Sequence, residues 1–577
     1  MLSFLIFDGD RRATARVLRH AHLVGPDGVP VAGEVHFEDG LVHCVKATAE
    51  AVGLATQVDL DEATLNEFAA DLDPDQPPLR PLGSLTLVTC LLPERKTPYL
   101  LSLELARHQI MLVLNKLEEW QLFDLDPSHP IMRTFEAARQ SFTRSLVAQR
   151  KDGAGEHFGF SLESHRLALL ALWHAVEAGE QLALHDATRR FSARCDGTGY
   201  DAAVEAVQGG PPSGARGTTP VANPNGTGVV LATRPAVGCV ASPGAFSEAA
   251  QRAMLNACDF VSIPMRWVDL EPNEGQYAYT PTDRWIEWAV RTARIPVAGG
   301  PVIDFSPECV PEWLFIWEND YETLRELVYE HMKAVVTRYR RTVSRWTVVS
   351  GLHANSNFKL SFEQMMDLTR ICVLVVRKLH SSARIQVEIS QPWGEYYTSN
   401  RGSLPPMLYA EMLAQAGIHV DSVGLRVIMG TTSTGGGTRD LLSLSAMLDR
   451  YAALERPIAV SLAGAPSMQL PTPEKQPDLA PGWWRAPWSE QAQADWCSAA
   501  LSIALSKPFV ESVCWAEIAD TPRPGPVPKG ALLARDGHPR PALERLTDLR
   551  RAAQTATAPE RVASLDVLAQ HAENASA

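Results

Sequence analysis

Arg345-Trp346-Thr347-Val348-Val349-Ser350-Gly351 is a short apolar run, rich in β-branched residues, that stops at a serine and a glycine. A run of this kind between helical patterns reads as a strand buried on both faces. Working outward from this strand at 345–350, similar runs fall near 236–241, 260–264, 296–303, 384–390, 421–427, 457–462 and 512–516. Strands and helices alternating in this way are the pattern of parallel β/α architecture. Eight strands are what a closed barrel needs, so the sequence predicts an α/β fold, a (β/α)8 TIM barrel over residues 229–550. In such barrels the chemistry gathers just beyond the C-terminal ends of the strands.

Several of these strand ends resemble those of family-10 glycoside hydrolases, the endo-xylanases, over roughly residues 235–550. Phe260 to Trp267, followed by Glu271-Pro272-Asn273-Glu274-Gly275-Gln276-Tyr277, is similar to the family's second strand and its Glu-Pro-x-x-Gly turn. Gly530 to Ala542 is similar to the family's closing segment. The family's fourth strand reads Trp-Asp-Val-Val-Asn-Glu, its glutamate being the general acid/base; Gly351 holds that place here and Ser350 the asparagine's. On the seventh strand, Val460-Ser461-Leu462-Ala463-Gly464 puts Leu462 where the family has its nucleophile. The third strand (Gly299 to Phe305) and the sixth (Gly424 to Ile428) also lack the family's histidine motifs. The resemblance therefore implies a xylanase-like barrel without the usual carboxylate pair, and retaining hydrolysis needs two such groups ~5–5.5 Å apart.

What remains at the strand ends is polar and aromatic. Strand five alternates Gln386, Glu388 and Ser390 against Ile385, Val387 and Ile389, and the polar set is expected to enter the lumen. It leads into Gln391-Pro392-Trp393-Gly394-Glu395-Tyr396-Tyr397, while strand eight ends Trp515-Ala516-Glu517. Aromatic faces stack on pyranose rings and carboxylates bond sugar hydroxyls, so this inventory suits an uncharged glycan. Candidate carboxylates for catalysis are Glu517 and Glu395, each following a strand beside aromatics. Candidate substrate contacts are Arg266, at the place of a sugar-binding lysine in the family, together with Trp267, Asp304, His353, Glu388, Gln391, Trp393 and Trp515. Trp393, Glu395, Trp515 and Glu517 are expected to converge on one concave patch. Trp267 suits core packing equally, Glu388 and Asp304 suit satisfied buried groups, and His353 suits an exposed loop.

Length and composition bound these readings. At 577 residues, of which 45% are hydrophobic and 21% charged, the chain has an ordinary globular composition with room for several domains. A formal charge of -14 argues against a nucleic-acid or anionic-membrane surface, and a neutral oligo- or polysaccharide is the expected partner. Met1 to Phe7 is apolar but lacks a basic region before it, which reads against a signal peptide. Nine cysteines without paired short spacings read as buried thiols, and a cytoplasmic location is expected. No metal or cofactor is implied: the histidines at 108, 129, 165, 174 and 185 form no ligand pair, and Gly435-Gly436-Gly437 reads as a mobile loop.

Before the barrel, alternating runs predict a β-rich, sandwich-like module at 1–97, and apolar periodicity predicts a helical region at 98–208. The Gly/Pro-rich stretch 209–228 reads as a flexible linker at which cleavage is expected to release the barrel, and 551–577 as a polar tail. The leading functional expectation is recognition of a β-linked glycan with little or no retaining-xylanase activity. The alternatives are a glycosidase that has moved its carboxylates to Glu517, Glu395, Glu388 or Asp304, and a protein-binding scaffold. The scaffold would be favoured by a barrel mouth plugged by loop 465–490.

Overall fold

The computed structural model describes the chain except residues 9–10, 15–16, 68–78, 150–157, 209–218, 225, 524 and 557–577. Its centre is a closed barrel of eight parallel strands: β1 (Ala236–Val240), β2 (Phe260–Ile263), β3 (Val297–Gly299), β4 (Val343–Ser350), β5 (Arg384–Ile389), β6 (Ser422–Ile428), β7 (Ile458–Gly464) and β8 (Val510–Trp515). Closure is explicit in the pairing, since β8 bonds both β7 and β1 while β3 bonds both β2 and β4. The third strand is interrupted at Gly300-Pro301 and resumes as Ile303–Asp304, paired to the end of β4 through Ile303↔Val349 and Asp304↔Ser350. Val348, Ile385, Val387, Val423, Leu425 and Val513 are buried, as strands enclosed on two faces require.

Ahead of the barrel, among the described residues, stand a four-stranded and a five-stranded sheet, beside the short ribbon Phe7–Asp8 with Arg11–Arg12. One orders Tyr99–Leu100, Leu2–Leu5, Leu41–Lys46 and Gly33–Glu38; the other orders Trp483–Trp484, Gly83–Val88, Gly53–Leu60, His22–Val24 and Pro30–Val31. The second sheet thus borrows a strand from the loop that follows β7, with Trp483 opposite Ser84 and Trp484 opposite Gly83. Four helices follow the first sheet's last strand: Leu101–Glu119, Pro130–Gln149, Leu162–Asp196 and Thr198–Gln208. Ser161 caps the third through Ser164 N, and Gly197 ends it in the left-handed conformation that glycine adopts without penalty.

That 35-residue helix, about 52 Å long at 1.5 Å per residue, is buried around its middle, Leu170 to Val176 without a break, while Glu163 and Arg189 toward its ends are exposed. It packs on its helical neighbours and on the barrel helices Leu441–Ala452 and Glu490–Ser506. Gly179 lies against Leu442, where an added Cβ would come within 2.8 Å of a side-chain methyl. One residue on, buried Glu180 accepts hydrogen bonds from Trp484 Nε1 (2.8 Å), Leu441 N (3.1 Å) and the Arg485 guanidinium. A single contiguous apolar core runs from Leu2 to Ala553. The preceding units are thus bonded into the barrel's own loops and helices, which weighs against the expectation that a cut at 209–228 frees the barrel. Of that stretch, 209–218 and 225 lie outside the described residues, while Val221–Ala222 pairs with Val229–Val230. The last barrel helix runs Pro541–Thr555, and the remainder of the expected tail, 557–577, is likewise outside them.

Candidate functional site

Barrel interiors of this class are ordinarily filled by layers of branched side chains. Here many of the lumen positions are small or polar. Ser262, Ala298, Thr347, Ser461 and Ser512 line an axial cavity of about 380 Å³. Gly424 lies so close to Gln386 and Ser461 that a Cβ would be 2.6 Å from the Gln386 amide. Upper walls come from the loops after β2, β3, β6 and β8, through Arg266, Asp304, Thr431 and Pro526. Val240, Phe260, Leu462 and Cys514 form an apolar wall within the same cavity.

The charged centre of the cavity is Arg426 on β6. Its Nη2 donates to Glu388 Oε1 at 2.7 Å, to Ser350 Oγ at 3.0 Å and to Asp304 Oδ2 at 3.2 Å. Ser350 Oγ also donates to Glu388 Oε1 at 2.7 Å, and Ser461 Oγ to its other oxygen. Asp304 in turn accepts from Ser306 N at 2.9 Å and Ser306 Oγ at 2.6 Å. Burial works against a charge on Arg426, but Glu388 and Asp304 outweigh it and raise its pKa above the ordinary value. Both oxygens of Glu388 are thus taken up as acceptors, Oε1 by Arg426 and Ser350 and Oε2 by Ser461.

Glu517, just beyond β8, is a carboxyl of the opposite kind. Burial pushes its pKa up to about 7, although Ser242 and the backbone N–H of Ile518 hydrogen-bond it. One cavity therefore holds a carboxylate locked to a guanidinium and a carboxyl poised to carry a proton near neutrality, a contrast that environment alone can set.

Of the residues expected from sequence, Glu517, Glu388, Asp304 and Arg266 share this cavity. Arg266 reaches it while its Nε donates to Asp269 at 2.6 Å. The expected convergence of Trp393, Glu395, Trp515 and Glu517 does not occur. Trp515 is fully buried, packed on Trp496, with its Nε1 donating to Gly530 O at 2.9 Å. Glu395 faces away from the lumen: burial would raise its pKa, yet the Arg439 guanidinium at 2.6 Å holds it low. Trp393 lies under that same guanidinium, 4.8 Å from ring centre to Cζ. Trp267 is core, stacked 4.3 Å from His331 and donating to Glu271 at 2.9 Å.

His353 is buried rather than exposed, bonded through Nε2 to the Ser390 carbonyl at 2.9 Å, and burial lowers its pKa to about 4. Gln391 adopts a left-handed backbone (φ 50°) and packs on Gly435, outside the cavity lining. Trp393 and Glu395 follow β5 but lie outside the cavity lining, and Trp515, the last residue of β8, is packed into the core, whereas Glu517 two residues on lines the cavity, so position near a strand end did not by itself mean position at the mouth. Loop 465–490 does not plug the barrel. Trp484 and Trp488 are buried away from the cavity, the former in the second N-terminal sheet.

Arg426, Ser350, Ser461 and Ser242 were not among the expected site residues. Arg426 was legible: Gly424, Arg426 and Ile428 share one face of β6 while Val423, Leu425 and Val427 share the other, so an inward guanidinium follows from alternation alone. Gly351 has φ 65° and ψ 13°, and a Cβ there would come within 2.8 Å of Ser390 Oγ. Among the described residues no group of three or more His, Cys, Asp or Glu side chains is arranged to hold a metal ion, and no helix is long and apolar enough to cross a membrane.

The sequence profile of Glycosyl hydrolase family 10 matches residues 230–545. Endo-1,4-beta-xylanase A of Fusarium oxysporum f. sp. lycopersici is 23% identical over 172 residues, 30% of this chain and 51% of that protein. Endo-1,4-beta-xylanase B of Thermotoga neapolitana is 28% identical over 92 residues, 16% of this chain and 26% of that protein. The chain thus spans about half the length of the first relative and about a quarter of the second. Among solved structures, xylanase 10B from Thermotoga petrophila RKU-1 in complex with xylobiose is 17% identical at a TM-score of 0.41, covering 55% of this chain and 94% of that one. Native xylanase 10B from Thermotoga maritima is also 17% identical, at a TM-score of 0.42, covering 56% and 96%.

Proposed function

Because the chain belongs to glycosyl hydrolase family 10, we propose that its barrel takes a neutral β-linked glycan or oligosaccharide into the axial cavity with little or no retaining-xylanase turnover. The observation that carries this reading is the state of Glu388. It is held by Arg426, Ser350 and Ser461 together, so it is an anchor for the cavity wall rather than a nucleophile. The places that resemble the family's acid/base and nucleophile positions are occupied by Gly351 and Leu462, neither of which can transfer a proton or form a glycosyl ester. Serine and threonine hydroxyls, Gln386 and Arg426 supply donors and acceptors for sugar hydroxyls, and the apolar wall of Phe260 and Leu462 suits a ring face.

Two measurements on the whole chain test the reading. Calorimetric titration with xylo-, cello- and manno-oligosaccharides should give saturable binding, and incubation with xylan should release no sugar above background. Turnover at the ~1–10³ s⁻¹ of ordinary enzymes would sink it.

A second reading is favoured by the place of Glu517, a carboxyl on the cavity lining whose pKa burial pushes up to about 7. A proton donor placed there suits general-acid cleavage of a glycosidic bond whose leaving group is poor and must be protonated as it departs. An alkyl xyloside hydrolysed by the wild type, with the rate lost in Glu517→Gln, would put this reading ahead.

A further inference from the structure

We infer that the cavity is a blind axial well that receives the end of a short glycan, rather than a cleft in which the middle of a polymer lies. The inference rests on the sugar reading above and deepens it. Its first support is the depth of the space. The lining reaches down β4 from Thr347 to Arg345 and down β8 to Ser512, well below the strand ends where a groove across the mouth would lie. The depth is left where Ser262, Ala298 and Ser512 stand in place of the branched side chains that ordinarily fill the axis.

Its second support is closure at the bottom. Arg345 donates to Ser512 Oγ at 2.9 Å and pairs with Glu511 at 3.3 Å, and Arg384 pairs with the same carboxylate, so charged side chains tied across the barrel form a floor. The third support is the wall on one side of the mouth. The loops after β5, β6 and β7 are all fastened to the N-terminal sheets: Gly394 lies against Pro30, Thr86 N donates to Thr438 O at 2.7 Å, and Trp483 pairs with Ser84. A chain laid across the mouth toward those strands meets a folded module, whereas a chain end directed down the axis does not. The volume of about 380 Å³ sits near the lower end of small-molecule sites, ~300–1,000 Å³.

The test is a titration of the whole chain with xylobiose, xylotriose and xylohexaose, and with soluble xylan before and after partial fragmentation at constant mass. End-on binding predicts dissociation constants that agree within about threefold across the oligomers, and binding capacity that rises with the number of chain ends. Affinity that climbs by about tenfold or more from dimer to hexamer, or capacity that follows polymer mass, overturns the inference while leaving glycan recognition standing. Absence of binding by every probe removes the sugar reading itself and the inference with it. Ala298→Leu places a branched side chain in the well and should weaken oligomer binding by at least about tenfold with the fold retained. Ser262→Val serves the same end should the leucine prevent folding. Unchanged binding in a folded variant of either kind also overturns the inference.

Discussion

The guanidinium of Arg426 on β6 meets the carboxylate of Glu388 on β5 at 2.7 Å inside the barrel. Removing one partner of a buried pair leaves a charge uncompensated, which costs about 3–5 kcal/mol. Arg426→Met should therefore lower stability by that order in urea denaturation. Adding Glu388→Gln to it should recover part of the loss, because the amide carries no charge to strand.

Glu517 supplies a pH dependence whose sign is fixed. Its folded pKa, about 7, lies above the ordinary 4.5, so the folded state binds the proton more tightly than the unfolded one. Its contribution to stability is fully present below pH 4.5 and is lost as pH rises through about 7, a change on the order of 3 kcal/mol. Glu517→Gln should flatten that part of the stability-versus-pH curve measured by chemical denaturation. A slope unchanged by the substitution would remove the assignment.

Gly351→Glu should not create a xylanase. The left-handed backbone at φ 65° costs an ordinary residue about 1–2 kcal/mol, and its Cβ would press on Ser390 Oγ at 2.8 Å. The melting temperature should fall and sugar release from xylan should stay at background, with Leu462 still facing the cavity.

Trp515→Ala tests a correction to the sequence reading. With the indole sealed against Trp496 and bonded to the Gly530 carbonyl, truncation opens a core cavity and should cost about 3–5 kcal/mol. Folding suffers first, whereas a stacking platform for sugar would have lost binding at little cost in stability.

A protease site engineered at residues 211–214 offers a check on how the units are joined. After cleavage the two fragments should elute together under native conditions. Helix Leu162–Asp196 packs on barrel helices, and Glu180 and Arg485 form a buried pair across the junction. Separation without denaturant would show that these contacts are too weak to hold the parts.

The barrel was legible because strands buried on both faces leave continuous apolar runs, and each predicted run falls on an observed strand. Boundaries moved where polar residues hide a strand start, as at Ser344 and Arg345, or where Gly300-Pro301 interrupts one. The alternation along β5 correctly sent Gln386 and Glu388 inward. The same alternation along β6 points Arg426 inward, a signal independent of the histidine motif that strand lacks. Trp393, Glu395 and Trp515 escaped because loop direction after a strand depends on tertiary packing, and here packing against Arg439 and Trp496 decided it. The borrowed strand at Trp483–Trp484 carries no local signal, since its partner lies about 400 residues away in sequence.

That distance has a temporal meaning. Ribosomes add ~5–20 residues per second, so Gly83–Val88 emerges roughly 20–80 s before the tryptophans that seal its edge. Until then the nascent chain presents an open strand edge, the kind of surface that pairs with whatever strand arrives first. The sheet that holds Gly83–Val88 cannot be completed until Trp483–Trp484 has been made, and the protein's yield in a cell should depend on what shields that edge in the interval.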